Sequence, residues 1–213
     1  MRLTSWWWAE ISRKLLHVSA GVIPLAYLVL DREVMLWLLW GAVVIAVAVE
    51  VLRHAVPAFA EWFRRVVGFM VRASEWGRIC GATYVLVGAL LTIWIFPKWV
   101  AIAVLLVLCV SDSAASLIGI RFGRSQFLGK SAAGSLAFFL TALAVLALIF
   151  RDALGIAFTG AIVATVAEAL PSPRLERFEL NDNLMIPLLT GAALWWLLIY
   201  TAPSDVAAAL LSQ

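Results

Sequence analysis

Three carboxylates, Glu50, Asp112 and Glu168, stand inside long apolar runs of this chain. A charged carboxylate at the centre of a membrane helix is unfavourable by about 2.5–3.5 kcal/mol on insertion scales, so each of the three asks for a chemical reason. Asp112 heads the stretch SDSAASLIGIRFGRSQFLGKSAAGS, which starts at Ser111 and runs on through Arg121, Arg124 and Lys130. Upstream, RKLLHVSAG sets Arg13 and His17 four residues apart, on one face of a helix. Downstream, NDNLMIP presents Asn181, Asp182 and Asn183 just before the last apolar run. Carboxylates can carry a divalent cation, while Arg, Lys and glycine-rich backbone can hold phosphates. These are the groups that phosphoryl transfer needs, because positioning and charge neutralisation supply most of its catalysis.

The tripeptide GKS at 129–131 is also the end of a P-loop, and the spacing excludes that reading. A P-loop places a glycine five residues before the second glycine. Counting back from Gly129 reaches Arg124, and Gly123 lies one residue too far. A P-loop also follows a buried strand, whereas an apolar run precedes this one. Each residue has a structural alternative as well. Asp112 could be a satisfied core carboxylate, Arg121, Arg124 and Lys130 could be topology anchors, and His17 could serve interface packing. Glu50 has Arg53 and His54 one turn on, and a structural pairing with one of them is the expectation for it.

The elements that must position these groups follow from composition. The chain has 213 residues, 64% of them hydrophobic and 14% charged, with 11 Trp, far from the usual balance of a soluble domain. Apolar runs occur at 15–30, 34–52, 79–96, 99–120, 131–150, 153–170 and 184–200. The expected fold is therefore an all-α polytopic membrane protein with about seven transmembrane helices, in a single membrane domain over 1–213. With the N-terminus cytoplasmic, only Arg32, Lys98 and Arg151 of the 16 Lys and Arg fall on the outer side, as the positive-inside rule requires. The net charge of +3 follows from that bias, so nucleic acid is set aside as a partner. The two cysteines, Cys80 and Cys109, lie in or beside apolar runs without metal-ligand spacing and read as packing residues. No small-residue cleavage site follows the first apolar run, which reads as an uncleaved anchor.

Between the second and third runs, PAFAEWFRRVVGFMVRASEWGR repeats aromatic and aliphatic residues at helical spacing against Arg64, Arg65 and Arg72. This predicts an interfacial amphipathic helix around 57–76, either a plain anchor or a platform where lipid approaches the site. In this topology Glu50, Asp112 and Glu168 all lie towards the cytoplasmic side. An unbroken helix to Ile120 would leave Asp112 roughly 12 Å deep at ~1.5 Å per residue. The helix is therefore expected to end near Gly119, with Ser111, Ser113 and Ser116 lining a hydrated cleft.

Five motifs in order, RKLLHVSAG, GATY, SDSAASLIGIRFGR, GKSAAGS and DNLMIP, span nearly the whole chain. In them the chain resembles the CTP-dependent lipid-alcohol kinases, a family comprising phytol kinase, dolichol kinase and the CTP-dependent diacylglycerol kinase. The resemblance implies transfer of the γ-phosphoryl group of CTP to a lipid hydroxyl, with Mg2+ as cofactor. It implies that Asp112 lies in the motif central to activity, with His17 and Lys130 as further catalytic residues. Arg13, Lys14, Gly119, Gly123, Arg124, Lys130, Ser131, Gly134 and Asn183 are implied in nucleotide binding, and Asp112, Asp182 and Glu168 in metal binding. Ser111 stands where the family usually has Gly, and Asn181 where a second acidic residue is common. The implied partners are CTP, a lipid alcohol, the bilayer and optionally a second copy of the chain. Two alternatives stay open: a cytidylyltransferase that makes a CDP-lipid, and a small ion-coupled transporter. The latter calls for inverted repeats and broken helices, which the sequence does not show.

Overall fold

Proline sets several of the helix boundaries. The computed structural model describes residues 17–68, 71, 76–123, 125–127, 130–170, 174–175, 178–179 and 181–211. Helix α1 (Val22–Val29) follows a helical turn at 17–19 and gives way to extended backbone at Leu30. Helix α2 (Arg32–Ala55) stops at Val56, which is extended as the residue before a proline tends to be. Pro57 then starts α3 (Pro57–Val67), at a position where its missing N–H leaves no bond unmade. Helix α4 (Gly81–Ile95) likewise ends before Pro97, which caps α5 (Lys98–Phe122). An antiparallel hairpin of β1 (Gln126–Phe127) and β2 (Lys130–Ser131) leads into α6 (Ala132–Ile149). Helix α7 (Leu154–Ala169) is followed by a second hairpin, β3 (Arg174–Leu175) with β4 (Phe178–Glu179), then by α8 (Asp182–Thr201) and α9 (Ser204–Leu211).

Each of the seven apolar runs holds one helix: α1, α2, α4, α5, α6, α7 and α8. Four of these, α2, α5, α6 and α8, are long and apolar enough to cross a membrane, and the chain is an integral membrane protein. Helices α4 and α7, with 15 and 16 residues, are shorter than the ~20 residues that a full span needs. The outward side of the bundle is itself apolar, with Trp37 on α2 78% exposed and Leu148 on α6 74% exposed. Such surfaces require lipid as their solvent.

Helix α5 is the axis of the bundle. Its residues Val100, Ala101, Ile102, Ala103, Val104 and Leu105 are buried on every side, and it packs against α1, α4, α6 and α8. In lipid no water is squeezed out between helices, so affinity comes from close packing. Gly160 of α7 shows how close, since a Cβ there would come within 2.5 Å of Leu194 Cδ2 on α8.

Four expectations need correction. The interfacial helix is shorter than 57–76: α3 ends at Val67, and Gly68 closes it by donating its N–H to the Arg64 carbonyl. Helix α5 does not end near Gly119 but continues to Phe122. Ser111 is fully buried and Ser113 nearly so, its hydroxyl turned back to the Cys109 carbonyl at 2.8 Å, so neither lines a cleft. The all-helical expectation also lacked the two short hairpins, one of which carries Lys130 and Ser131. Glu50 does pair with Arg53, as its spacing predicted.

Candidate active site

The site begins where the polar residues of α5 meet the turn before α1. His17 Nε2 lies 3.2 Å from the Leu108 carbonyl and 3.4 Å from Asp112 Oδ2. Leu108 and Asp112 are one turn apart on α5, so one imidazole nitrogen reaches both. Each partner is an acceptor when Asp112 is ionised, and Nε2 must then carry the proton. Asp112 is thereby held by a ring from another element while a fifth of its side chain stays exposed.

A second set of charges gathers around Lys130, which β2 places beside the helix ends. Its Nζ donates to Asp182 Oδ2 at 2.7 Å and lies 3.1 Å from Glu168 Oε1. Asp182 is the first residue of α8, where the Asn181 side chain caps the helix by accepting the Asn183 N–H at 3.0 Å. Glu168, near the end of α7, is buried, and its Oε2 accepts the Ser135 hydroxyl at 3.3 Å. Burial works against the charge on Lys130, but Asp182 and Glu168 outweigh it and hold the ammonium above its ordinary range.

The glycines expected to cradle phosphate stand where the ends of α5 and α6 meet. A Cβ on Gly134 would stand 2.9 Å from the Ala115 carbonyl, and one on Gly119 would stand 3.0 Å from Ser131 Oγ. A Cβ on Gly123, the C-cap of α5, would meet Ser131 Cβ at 2.7 Å. Protein atoms already occupy those spaces, so the three glycines let α5 and α6 approach closely. Ser131 is the N-cap of α6, its Oγ accepting the Gly134 N–H at 2.9 Å. Asn183 turns its amide towards α4, donating to the Gly81 carbonyl at 3.2 Å. Arg13, Lys14 and Arg124 lie outside the described residues.

Among the described residues no three His, Cys, Asp or Glu side chains come together closely enough to hold a metal. Glu168, Asp112 and Asp182 share one region, yet Lys130 occupies the position between two of them. Glu168 has both oxygens engaged, by Lys130 and Ser135, and is better suited to anchoring the lysine than to binding a cation. Asp182 and Asp112, each partly exposed, keep the oxygen chemistry that a hard cation takes. Ser135 and the Leu108 and Gly81 carbonyls were not foreseen. Ser135 does stand one turn after Ser131 in GKSAAGS, whereas backbone carbonyls carry no sequence signal.

Comparison with known proteins adds the chemistry. The CTP-dependent diacylglycerol kinase 1 of Schizosaccharomyces pombe is 26% identical over 212 residues, covering 87% of this chain and 92% of that protein. The protein of the same description from Eremothecium gossypii is 28% identical over 85% of this chain, and the chain spans 65% of its length. Over most of its length the chain is similar to the CTP-dependent lipid kinase family. An uncharacterised protein of Rickettsia prowazekii is 32% identical over 84% of this chain and 90% of its own length. No family model matches the chain, and no solved structure does either. The family relatives favour a kinase over a cytidylyltransferase.

Proposed function

We propose that this integral membrane protein is a lipid kinase that transfers the γ-phosphoryl group of CTP to the hydroxyl of a lipid alcohol. The observation that carries the reading is the meeting of Lys130, Asp182 and Glu168, from three separate elements, together with the pairing of Asp112 and His17. The names of the relatives favour diacylglycerol as the acceptor over phytol or a polyprenol. The Lys and Arg distribution supports an N-terminus and an active site on the cytoplasmic side, where CTP is available.

In this reading the lipid hydroxyl attacks the γ-phosphorus, its proton passes to the Asp112 carboxylate, and the bond to the bridging oxygen breaks to release CDP. His17 keeps Asp112 aimed and, by donating to it, tempers its basicity. Lys130 carries a cation to the triphosphate, and Asp182 and Glu168 hold it ready while no phosphate is bound. A magnesium ion, held by Asp182 and Asp112, would supply further neutralisation of phosphate charge. Glu168 serves as the buried anchor of Lys130.

The test incubates the purified protein in detergent with magnesium, labelled CTP or ATP, and a panel of diacylglycerol, phytol and polyprenol. Phosphorylated lipid with CDP is the expected product. Pyrophosphate with a CDP-lipid would establish a cytidylyltransferase instead, and no turnover of any lipid alcohol would reject the kinase reading.

A further inference from the structure

A buried ion pair lies apart from the proposed chemistry, near the C-terminal end of α2. Glu50 and Arg53 are 9% and 6% exposed, and Arg53 Nε donates to Glu50 Oε2 at 2.6 Å. Desolvation offsets most of what such a pair contributes to stability, and an apolar pair of the same volume would often serve the fold as well. What distinguishes this pair is where its remaining atoms go. Glu50 Oε1 accepts the Cys80 N–H at 2.8 Å and the Thr83 hydroxyl at 3.1 Å. Arg53 Nη2 donates to the Arg78 carbonyl, and the guanidinium lies over the Phe63 ring of α3, 5.8 Å from its centre. Cys80 is the N-cap of α4, so the carboxylate sits where a helix start favours an anion.

The chain of contacts continues from that helix start to the active site. Gly81, the first residue of α4, receives the Asn183 side-chain amide on its carbonyl at 3.2 Å. Two turns further, a Cβ on Gly88 would come within 2.4 Å of the Asn183 carbonyl, so backbone rests on backbone there. The first turn of α8 is therefore seated on α4 at two points. Asp182, adjacent to Asn183, faces Lys130 at 2.7 Å.

We propose that Glu50 and Arg53 are positioning residues for the reaction: they set the N-terminus of α4 and, through Gly81 and Asn183, the placement of Asp182 against Lys130. The catalytic half of this inference rests on the kinase reading, and the structural half does not.

The test compares the purified full chain with Glu50→Ala, Glu50→Gln and Arg53→Lys in detergent. Amide hydrogen exchange at 181–185 and maleimide reactivity of Cys80 are read without substrate, and kcat and KM with it. Cys109, the second of two cysteines and 3% exposed, reports whether the bundle stays folded. Glu50→Ala should speed exchange at 181–185 and unmask Cys80 while Cys109 stays protected. Its kcat should fall on the order of tenfold or more, since a misplacement of about 1 Å from a distant mutation can lower rates up to ~10²-fold. The lipid KM should not change. Glu50→Gln keeps an acceptor for Cys80 and Thr83, and its kcat should lie between wild type and Glu50→Ala. Glu61→Gln, which breaks the exposed pairs with Arg64 and Arg65, should change nothing.

Unchanged kcat and unchanged exchange at 181–185 in Glu50→Ala, per folded molecule, would overturn the proposal and leave the pair a merely structural one. If Glu50→Ala unmasks Cys109 as well, Arg53→Lys decides. It keeps the charge but cannot reach Glu50 and the Arg78 carbonyl together, so a wild-type kcat there would also overturn the proposal. An inactive wild type would reject the kinase reading alone, because the exchange measurement still decides whether Glu50 governs the start of α8.

Discussion

Lys130 and Asp112 carry opposite charges at opposite ends of the proposed reaction, and their substitution should fail in different ways. Asp112→Asn preserves shape and removes the proton acceptor, so kcat should drop by about 10²–10⁴-fold with the protein still folded. Near-normal turnover by the purified variant would make Asp112 a core carboxylate. Lys130→Ala should raise the KM for CTP more than that for lipid, as a cationic contact to phosphate disappears. It should also destabilise the fold by roughly 1–3 kcal/mol, because Glu168 stays buried with the Ser135 hydroxyl as its remaining donor among the described residues. Lys98→Ala, which removes a cation seated over the Tyr27 ring, should leave both Michaelis constants unchanged. Kinetics of the three purified variants check all of this together.

At the scale of elements, the junction of α5 with α6 separates two meanings of a glycine-rich motif. If Gly134 serves helix approach, Gly134→Ala pushes a methyl group against the Ala115 carbonyl and Ser131 Oγ, 2.9 and 3.1 Å away. Overpacking of this kind is destabilising by about 1–3 kcal/mol, so thermal stability in detergent should fall. A higher KM for CTP at full stability would restore the phosphate-cradle reading. The motif spelled by SLIGIRFGR and GKSAAGS was legible as a region, yet its glycines could not be assigned a task from spacing alone. Close approach of helices and close approach of phosphate both demand a missing side chain, and only the neighbour in space tells them apart.

For the whole molecule, the positive-inside pattern makes the orientation testable. With the N-terminus cytoplasmic, Arg32, Lys98 and Arg151 face the opposite side from Lys130 and the rest of the site. Single cysteines at 151 and 125, in a background lacking Cys80 and Cys109, should react with an impermeant maleimide from opposite sides of sealed vesicles. Labelling of both from one side would refute the topology and with it the cytoplasmic site.

The sequence by itself determined the solvent, since a chain so rich in apolar residues can hide its backbone only as helices in lipid. It also placed the helices in order, because apolar runs and prolines act locally, and it singled out Glu50, Asp112 and Glu168 as carboxylates whose place in apolar runs asks for a reason. Tertiary structure decided who meets whom. That Lys130 stands between Asp182 and Glu168, that His17 reaches one turn of α5, and that Glu50 binds the start of α4 are contacts across 30 to 91 residues of chain, which no local periodicity encodes. They follow from how α4, α6, α7 and α8 pack around α5, and that packing is set by small residues whose role is visible only when the opposing helix is in place.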